Sequence, residues 1–213
     1  MLSRLSILFM MIGSLHGAGI LLDAAVPSNN FQKPAFCHDL DCPVYSVLET
    51  NDKFEMRRYA PSVWVATDIV TMVYSKQQSS EMFWKLFHYI AGNNTAGAKI
   101  DMTAPVVDEI IHGPGPDCES NFTKHFMVPY VYTNMPPQPT ESSVYIRHIP
   151  EMTLYVRSYG GFSNDDSKRE NLVTLSEDLM KANKQFRDDI FYTAGYDSPY
   201  SFVRHNEIWL VAK

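Results

Sequence analysis

The chain has 213 residues, 45% of them hydrophobic, and its 24 acidic and 18 basic residues give a formal net charge of -6. This length fits one domain, with or without an N-terminal extension. An acidic chain without a basic cluster is a poor nucleic-acid binder, because phosphate contacts need grouped Lys and Arg. We therefore expect no nucleic-acid partner.

The first residues have the order typical of a secretory signal peptide. A short basic start, Met1–Arg4, precedes the apolar run Leu5–Ile12, and small residues follow at Gly17–Gly19. This order predicts a signal peptide over about residues 1–19 and a secreted, extracellular protein without a membrane span in its mature chain. The alternative is an anchor helix that continues through residue 26, but His16 and Asp23 would interrupt it, and a central Asp is costly in lipid.

An N-terminal extension over about residues 20–43 follows, and it contains two of the three cysteines, Cys37 and Cys42. In an oxidising compartment these two can close a small disulfide loop. Cys118 is then either a free thiol or pairs with one of the other two, and the spacing does not decide between these. Two glycosylation sequons, at Asn93 and Asn121, agree with export, and we expect both asparagines to be exposed.

The segment from residue 81 to residue 106 predicts an amphipathic helix, a turn and a strand. The helix is expected to be capped by Ser79 or Ser80 and to end before Gly92. The side chains that recur at helical spacing form one apolar face: Phe83, Leu86, Phe87 and Ile90. Trp84 and His88 are four residues apart, so they share a flank beside that face.

The rest of the chain predicts strands and a second helix. Segments rich in β-branched and aromatic residues are expected to be strands: Val44–Leu48, Phe54–Tyr59, Val63–Ile69, Lys99–Ile111, Phe122–Tyr132, 144–145, Leu154–Tyr159, Ile190–Thr193 and Glu207–Ala212. The second helix is expected over Asp166–Ala182, capped by the acidic pair at 165 and 166, with Leu172, Leu175 and Leu179 on one face.

The order of elements repeats, with strands, a helix and strands in each of two units of about residues 44–140 and 141–213. Leu154, Val156, Arg157 and Tyr159 also echo Phe54, Met56, Arg57 and Tyr59 at the same offset. Separate helices and antiparallel strands indicate an α+β fold with pseudo-twofold symmetry. We expect two sheets of about four strands to close into a distorted barrel, with a helix packed on each half.

Four separated segments resemble the SOUL/haem-binding protein family. They are FEMRRYAPSVWV at 54–65, KIDMTAPV at 99–106, FYTAGYDSP at 191–199 and RHNEIWL at 204–210, and EMTLYVRSYGG at 151–161 also fits. The resemblance covers residues 44–213. It implies an eight-stranded distorted antiparallel barrel with two helices, and non-catalytic, reversible binding of haem or another porphyrin in a shallow apolar groove.

The resemblance also implies where the groove lies, along the first helix and near the loop before the last strand. The corresponding candidate residues of this chain are Phe83, Trp84, Phe87, His88, Tyr200 and Arg204, with Arg58 as a second cation for the propionates. Some family members are proposed to ligate iron through a histidine in the stretch matching residues 56–59. Arg58 occupies the matching position here, so His88 becomes the possible iron ligand.

Each of these residues also has a plainer interpretation. His88 can be a surface histidine lying on its aromatic neighbours, and Arg58 and Arg204 can be solvated surface charges. His205 is a second possible ligand, although a role in a turn suits it better. We find no paired carboxylates at a catalytic spacing, no nucleophile elbow and no phosphate-binding loop, so we expect no enzymatic activity. The alternative function is an extracellular protein-interaction module whose haem binding is incidental and whose partner is unknown.

Overall fold

The computed structural model describes residues 32–115, 117–198 and 200–213, so the expected signal peptide lies outside the described residues. The described residues form nine strands and two α-helices. The strands are β1 (Tyr45–Thr50), β2 (Glu55–Tyr59), β3 (Ser62–Thr71), β4 (Val106–Ile111), β5 (Ser120–Met127), β6 (Tyr145–Ile149), β7 (Met152–Gly160), β8 (Phe186–Gly195) and β9 (His205–Ala212). The helices are α1 (Lys76–Ile90) and α2 (Asp165–Lys181).

All nine strands belong to one antiparallel sheet in the order β1-β2-β7-β9-β8-β4-β5-β3-β6. The sheet curls into a distorted half-barrel, which confirms the α+β class and the barrel-like architecture. Two details of the prediction were wrong. The strands form a single sheet rather than two, because β4 and β8 pair along six residues at its centre. The strand count is nine rather than eight, because β1 adds an edge strand to β2.

The sheet order shows the predicted pseudo-twofold symmetry about the β4–β8 pair. Outward from this centre the order is β5, β3, β6 on one side and β9, β7, β2 on the other. The unit β2-β3-α1-β4-β5 therefore corresponds to β6-β7-α2-β8-β9, and β1 has no counterpart. The echo between residues 54–59 and 154–159 was the wrong correspondence. These segments are β2 and β7, which pair directly with each other, whereas the symmetry relates β7 to β3.

Three apolar clusters hold the layers together. The inner face of the sheet buries Trp64, Leu154, Tyr192 and Trp209 among its largest side chains. Helix α1 packs Leu86 and Tyr89 against Val65 and Phe126 on the outer face of β3 and β5. Helix α2 packs Leu175 and Leu179 against Tyr155 and Ile208 on the outer face of β7 and β9. Each helix thus covers one half of the sheet, as the apolar periodicity predicted.

Helix α1 begins five residues earlier than predicted. Ser75, not Ser79 or Ser80, is the N-cap, and it forms a capping box in which its side chain accepts from the Gln78 N–H. The Gln78 side chain in turn accepts from the Ser75 N–H, at 2.9 Å. At the other end Gly92 has a φ of 125°, a conformation that glycine adopts at little cost.

Helix α2 matches the predicted range to within one residue, but its cap was also assigned wrongly. Asn164 is the N-cap, and Asp165 and Asp166 lie in the first turn, where their charges face the positive end of the helix dipole.

Two predicted strands are shorter than expected because prolines interrupt them. Residues 99–105 are irregular, and β4 begins only after Pro105, whose peptide bond with Ala104 is cis. Strand β5 ends at Met127, and a short 3-10 turn, Tyr130–Tyr132, follows Pro129. A proline has no N–H to donate to a sheet ladder, which accounts for both boundaries.

The N-terminal extension carries the predicted disulfide and packs against the inner apolar cluster. Cys37 is bonded to Cys42, and both side chains are buried within the inner cluster. Cys118 is a free, exposed thiol, which settles the alternative that the spacing left open. The Asp41 side chain accepts from the Tyr130 N–H at 3.1 Å, so the loop is attached to the turn after β5. Across the part of the chain described here, neither helix is long and apolar enough to cross a membrane.

Candidate functional site

The outward flank of α1 carries the aromatic cluster that the sequence predicted. Phe83 anchors it, with its ring centroid 5.2 Å from that of buried Phe126. Trp84 is 51% exposed and Phe87 is 38% exposed. The Trp84 ring lies 5.3 Å from the Phe87 ring and 6.3 Å from the His88 ring. The result is a partly exposed aromatic surface, in which the Trp84 ring is nearly perpendicular to the Phe83 and Phe87 rings and an exposed imidazole lies at the edge.

The loop between β8 and β9 is the second predicted part of the site. Tyr200 and Phe202 are 91% and 92% exposed, and Val203 is also exposed. The Arg204 guanidinium lies 4.2 Å from the centroid of the Phe162 ring, and its Nε donates to the Ser201 carbonyl at 2.9 Å. The loop therefore presents apolar side chains to solvent beside an arginine that is held in place.

The sheet register places these two parts at the same end of the barrel. Phe126, Val106 and Gly195 lie opposite one another on β5, β4 and β8. Two strand spacings of about 4.8 Å put Phe126 and Gly195 about 10 Å apart. Phe126 lies beneath Phe83, and the β8–β9 loop begins directly after Gly195. The register therefore places the start of this loop at the same end of the sheet as Phe126, whereas the Arg204 guanidinium packs against Phe162 near the start of α2.

Arg58 does not join this region. It lies on β2, and β7, β9, β8 and β4 separate that strand from β5. Its Nε is 3.9 Å from a Glu151 carboxylate oxygen, and both side chains are more than half exposed. The plainer interpretation, a solvated surface charge, describes Arg58 best.

His205 has a structural role. Its Nε2 lies 2.8 Å from Glu207 Oε1, and the Phe36 ring stacks on its imidazole with a centroid distance of 3.9 Å. Glu207 is fully buried and also accepts from Arg57, Tyr196 and Trp209. Burial alone would raise the pKa of Glu207, but the hydrogen bond from His205 and the charge of Arg57 outweigh it and lower that pKa.

A second polar cluster inside the barrel was missed by the sequence analysis. Arg147 Nη1 donates to Glu109 Oε1 at 2.8 Å and lies 3.0 Å from His125 Nε2. Burial lowers the pKa of His125 to about 4, so its imidazole is neutral at physiological pH. The adjoining cavity has a volume of about 40 Å³, enough for two or three waters by the usual estimate but not for a macrocycle.

A larger groove on the outer face was also missed. It has a volume of about 340 Å³ and lies between the start of α2 and the central strands. We call it the outer groove. Its lining residues are Tyr74, Asp108, Ile110, His112, Phe122, Asp165, Lys168, Arg169, Leu172, Phe191 and Thr193. They come from five separate segments, so no single stretch of sequence signals the groove.

Metal ligation by protein side chains alone has no support in the described ranges, because no group of three or more His, Cys, Asp or Glu is placed to hold an ion. The curled sheet, the helix on each half and the ligand-sized outer surfaces together define a pseudo-symmetric α+β barrel with the features of a small-molecule binding protein.

Comparison with known proteins identifies the family. Residues 40–211 match the family model described as SOUL heme-binding protein, and the chain belongs to that family. It is 40% identical to Heme-binding protein 2 of Homo sapiens over 161 residues, covering 75% of this chain and 78% of the relative. Identity to Heme-binding protein 2 of Mus musculus is 37% over 179 residues, covering 82% and 87%.

Solved structures show that the fold is more widespread. The crystal structure of the EcmrR C-terminal domain has a TM-score of 0.53 to this chain at 10% sequence identity. The match covers 79% of this chain and 98% of that domain. At this identity the likeness concerns the fold alone.

Proposed function

We propose that this protein binds haem and other tetrapyrroles reversibly and without catalysis, as a carrier outside the cell. The observation that carries the proposal is the exposed aromatic flank of α1, in a chain whose family is named for heme binding. The human and mouse relatives bear the same name, and the identity to each extends over most of both chains.

A macrocycle would lie against the nearly parallel Phe83 and Phe87 rings and the Trp84 ring set across them. Phe83, Trp84 and Phe87 together offer an apolar surface, and burying roughly 300 Å² of it would contribute about 7 kcal/mol at 25 cal/mol/Å². Association costs remove a large part of this gain, which agrees with reversible binding. Tyr200 on the neighbouring loop can add contact area.

The propionates of a tetrapyrrole need cations, and two arginines of this chain are candidates. Arg204 lies on the loop at the same end of the barrel as the flank, so it is our candidate for contact with a propionate. Arg58 is the more distant candidate, because β2 lies two strands further from β5 in the sheet than β9, directly before which Arg204 lies.

When bound, haem would supply a Lewis-acidic iron that a nitrogen ligand can coordinate. His88 is our candidate for this ligand because its imidazole is exposed at the edge of the flank. Since the strand position that carries a histidine in some family members is Arg58 here, we propose that contact area, not the iron bond, is the main source of affinity.

The test combines substitutions with two ligands, haemin and a metal-free porphyrin. Trp84→Ala should weaken both, because it removes shared apolar contact, whereas His88→Ala should weaken haemin alone and shift its Soret band. Val173→Ala is the matched control, since Val173 is a half-exposed apolar residue on the other helix. The site assignment fails if neither Trp84→Ala nor Arg204→Ala changes either titration while circular dichroism shows an intact fold.

Export from the cell is the second part of the proposal, and it rests on the N-terminal sequence pattern and the sequons. We propose cleavage near residues 17–19 and a sugar on Asn93, which is exposed in the turn after α1. Asn121 is the weaker acceptor, because it lies half-buried within β5 rather than before it. Mass spectrometry of the secreted protein before and after glycosidase treatment tests this. An intact Met1 on cytosolic protein would refute it.

A protein-interaction role is the alternative, and the β8–β9 loop favours it. Tyr200, Phe202 and Val203 are almost fully exposed, and adjacent exposed apolar side chains often mark contact sites. Saturable binding of a protein partner together with only weak haem binding would support this alternative. Stoichiometric tetrapyrrole binding at low concentration would support the carrier.

A further inference from the structure

We propose that the outer groove is a second binding site, independent of the α1 flank, for a flat aromatic molecule that carries an anionic group. The groove lies over β4 and β8, the two strands at the pseudo-twofold centre of the sheet. The helices cover the strands on either side, so this central strip of the outer face remains open between them.

The shape and walls of the groove define the aromatic part of the ligand. Tyr74 stacks on Phe122 with a centroid distance of 4.3 Å and an interplanar angle of 7°. His112 lies 5.4 Å from Phe191. With Ile110 these rings line a slot of about 340 Å³, within the range of small-molecule sites. A ligand of two or three fused or linked rings can contact both ring pairs.

The charges of the groove define the anionic part. Lys168 has no ion-pair partner among the described residues, and Arg169 is paired only with Asp166 at the surface, where both side chains are mostly exposed. An exposed ion pair of this kind is weak, because solvent screens the attraction between its two charges. The carboxylate of Asp108 is already neutralised by the buried ammonium of Lys124. An anionic group at the start of α2 would therefore lie near the Lys168 ammonium, which has no ion-pair partner among the described residues. It would also lie near the Arg169 guanidinium, whose own ion pair is weak.

Asp165 is the remaining acid in the lining, and its position limits its effect. It lies in the first turn of α2, where the positive end of the helix dipole offsets a negative charge. None of the lining residues belongs to the candidate tetrapyrrole surface around Phe83 and Trp84. The two sites can therefore be tested separately, and failure of one leaves the other standing.

A matched pair of fluorescent probes tests the proposal on the intact mature protein. The first is 1-anilinonaphthalene-8-sulfonate, and the second is N-phenyl-1-naphthylamine, which has the same ring system without the charge. We expect saturable binding of both, with the sulfonate bound more tightly at low salt. Lys168→Gln should weaken the sulfonate by about threefold or more and leave the uncharged probe unchanged. Lys181→Gln, at the far end of α2, is the control.

A second variant tests the aromatic wall. His112→Ala removes an exposed ring next to Phe191 and should weaken both probes, whereas His148→Ala, an exposed histidine on β6, should weaken neither. The proposal is overturned if wild-type protein shows no saturable binding of the sulfonate. It is also overturned if Trp84→Ala abolishes binding of both probes while Lys168→Gln and His112→Ala change neither.

Discussion

At the scale of single residues, the barrel interior contains two arginine–glutamate pairs, of which the arginines but not the glutamates are related by the pseudo-twofold symmetry. Arg57 on β2 lies opposite Leu154, and Arg147 on β6 lies opposite Trp64, positions that the pseudo-twofold symmetry relates. Arg57 binds a glutamate that is hydrogen-bonded to four further side chains. In the other pair, Glu109 Oε2 has no hydrogen-bond partner within the described residues. The two networks therefore differ: the hydrogen bonds of Glu207 are complete, and those of Glu109 are incomplete within the described residues.

The saturated network should be sensitive to loss of its arginine. Arg57→Met would leave the buried Glu207 carboxylate without a counter-charge, so we expect the free energy of unfolding to fall by about 3–5 kcal/mol. Arg58→Met is the control, because its exposed ion pair should contribute less than about 1 kcal/mol. Urea unfolding of both variants measures the difference, and equal losses would contradict the importance of the buried pair.

His125 should make stability depend on pH. Its pKa falls from 6.5 to about 4 on folding, chiefly through burial. Between these values the unfolded chain holds a proton that the folded protein lacks, so stability is full above pH 6.5 and falls as the pH drops toward 4. This group alone should cost about 2 kcal/mol at pH 5 relative to pH 8. Urea unfolding at both pH values should show a smaller loss for His125→Gln, and an unchanged loss would exclude this cause.

At the scale of elements, the start of α1 provides a direct comparison between two serines. Ser75→Ala removes the side-chain oxygen of the capping box and should cost about 1 kcal/mol. Ser80→Ala, at the cap position suggested by the sequence, should be close to neutral because Ser80 lies inside the helix and is exposed. Thermal unfolding of the two variants measures this. A larger loss from Ser80→Ala would contradict the observed helix boundary.

The helices and strands were predictable where a periodic apolar face dominates. Leu172, Leu175 and Leu179 all pack against the sheet, as their spacing required. Element ends were less predictable, because they depend on single local contacts. The Ser75–Gln78 capping box starts α1 before the later serines are reached. Strand β4 begins only after Pro105. Asn121 was expected before a strand but lies within β5, since β5 continues to pair with β3 as far as Ser120.

In the candidate site, too, some features depend on residues close together in the sequence and others on distant parts of the chain. The cluster of Trp84, Phe87 and His88 was predictable because helical spacing places these residues on one flank. Their position relative to the β8–β9 loop depends on the strand register, which the sequence does not specify. The outer groove was unpredictable for the same reason, because its ring pairs join β5 to the segment before α1 and β8 to the residue after β4.

At the scale of the whole molecule, the repeat of element order correctly indicated pseudo-twofold symmetry. The strands that were matched between the two units were displaced by one strand along the chain. The shared residues at an offset of 100 lie on β2 and β7, which are neighbours in the sheet. The echoed residues face opposite sides of the sheet, since Tyr59 and Leu154 belong to the inner cluster whereas Phe54 and Tyr159 pack in the cluster under α2. The extra edge strand β1 produced this error, since it shifts the strand count of the first unit by one.

We propose that the outer aromatic surface on α1 binds tetrapyrroles mainly through contact area. The most direct test is a parallel absorption and fluorescence titration of the purified mature protein with haemin and with a metal-free porphyrin. We expect saturable 1:1 binding of both ligands, with affinities that differ by less than about tenfold, or 1.4 kcal/mol. Saturable binding of haemin alone, or of neither ligand, would contradict it.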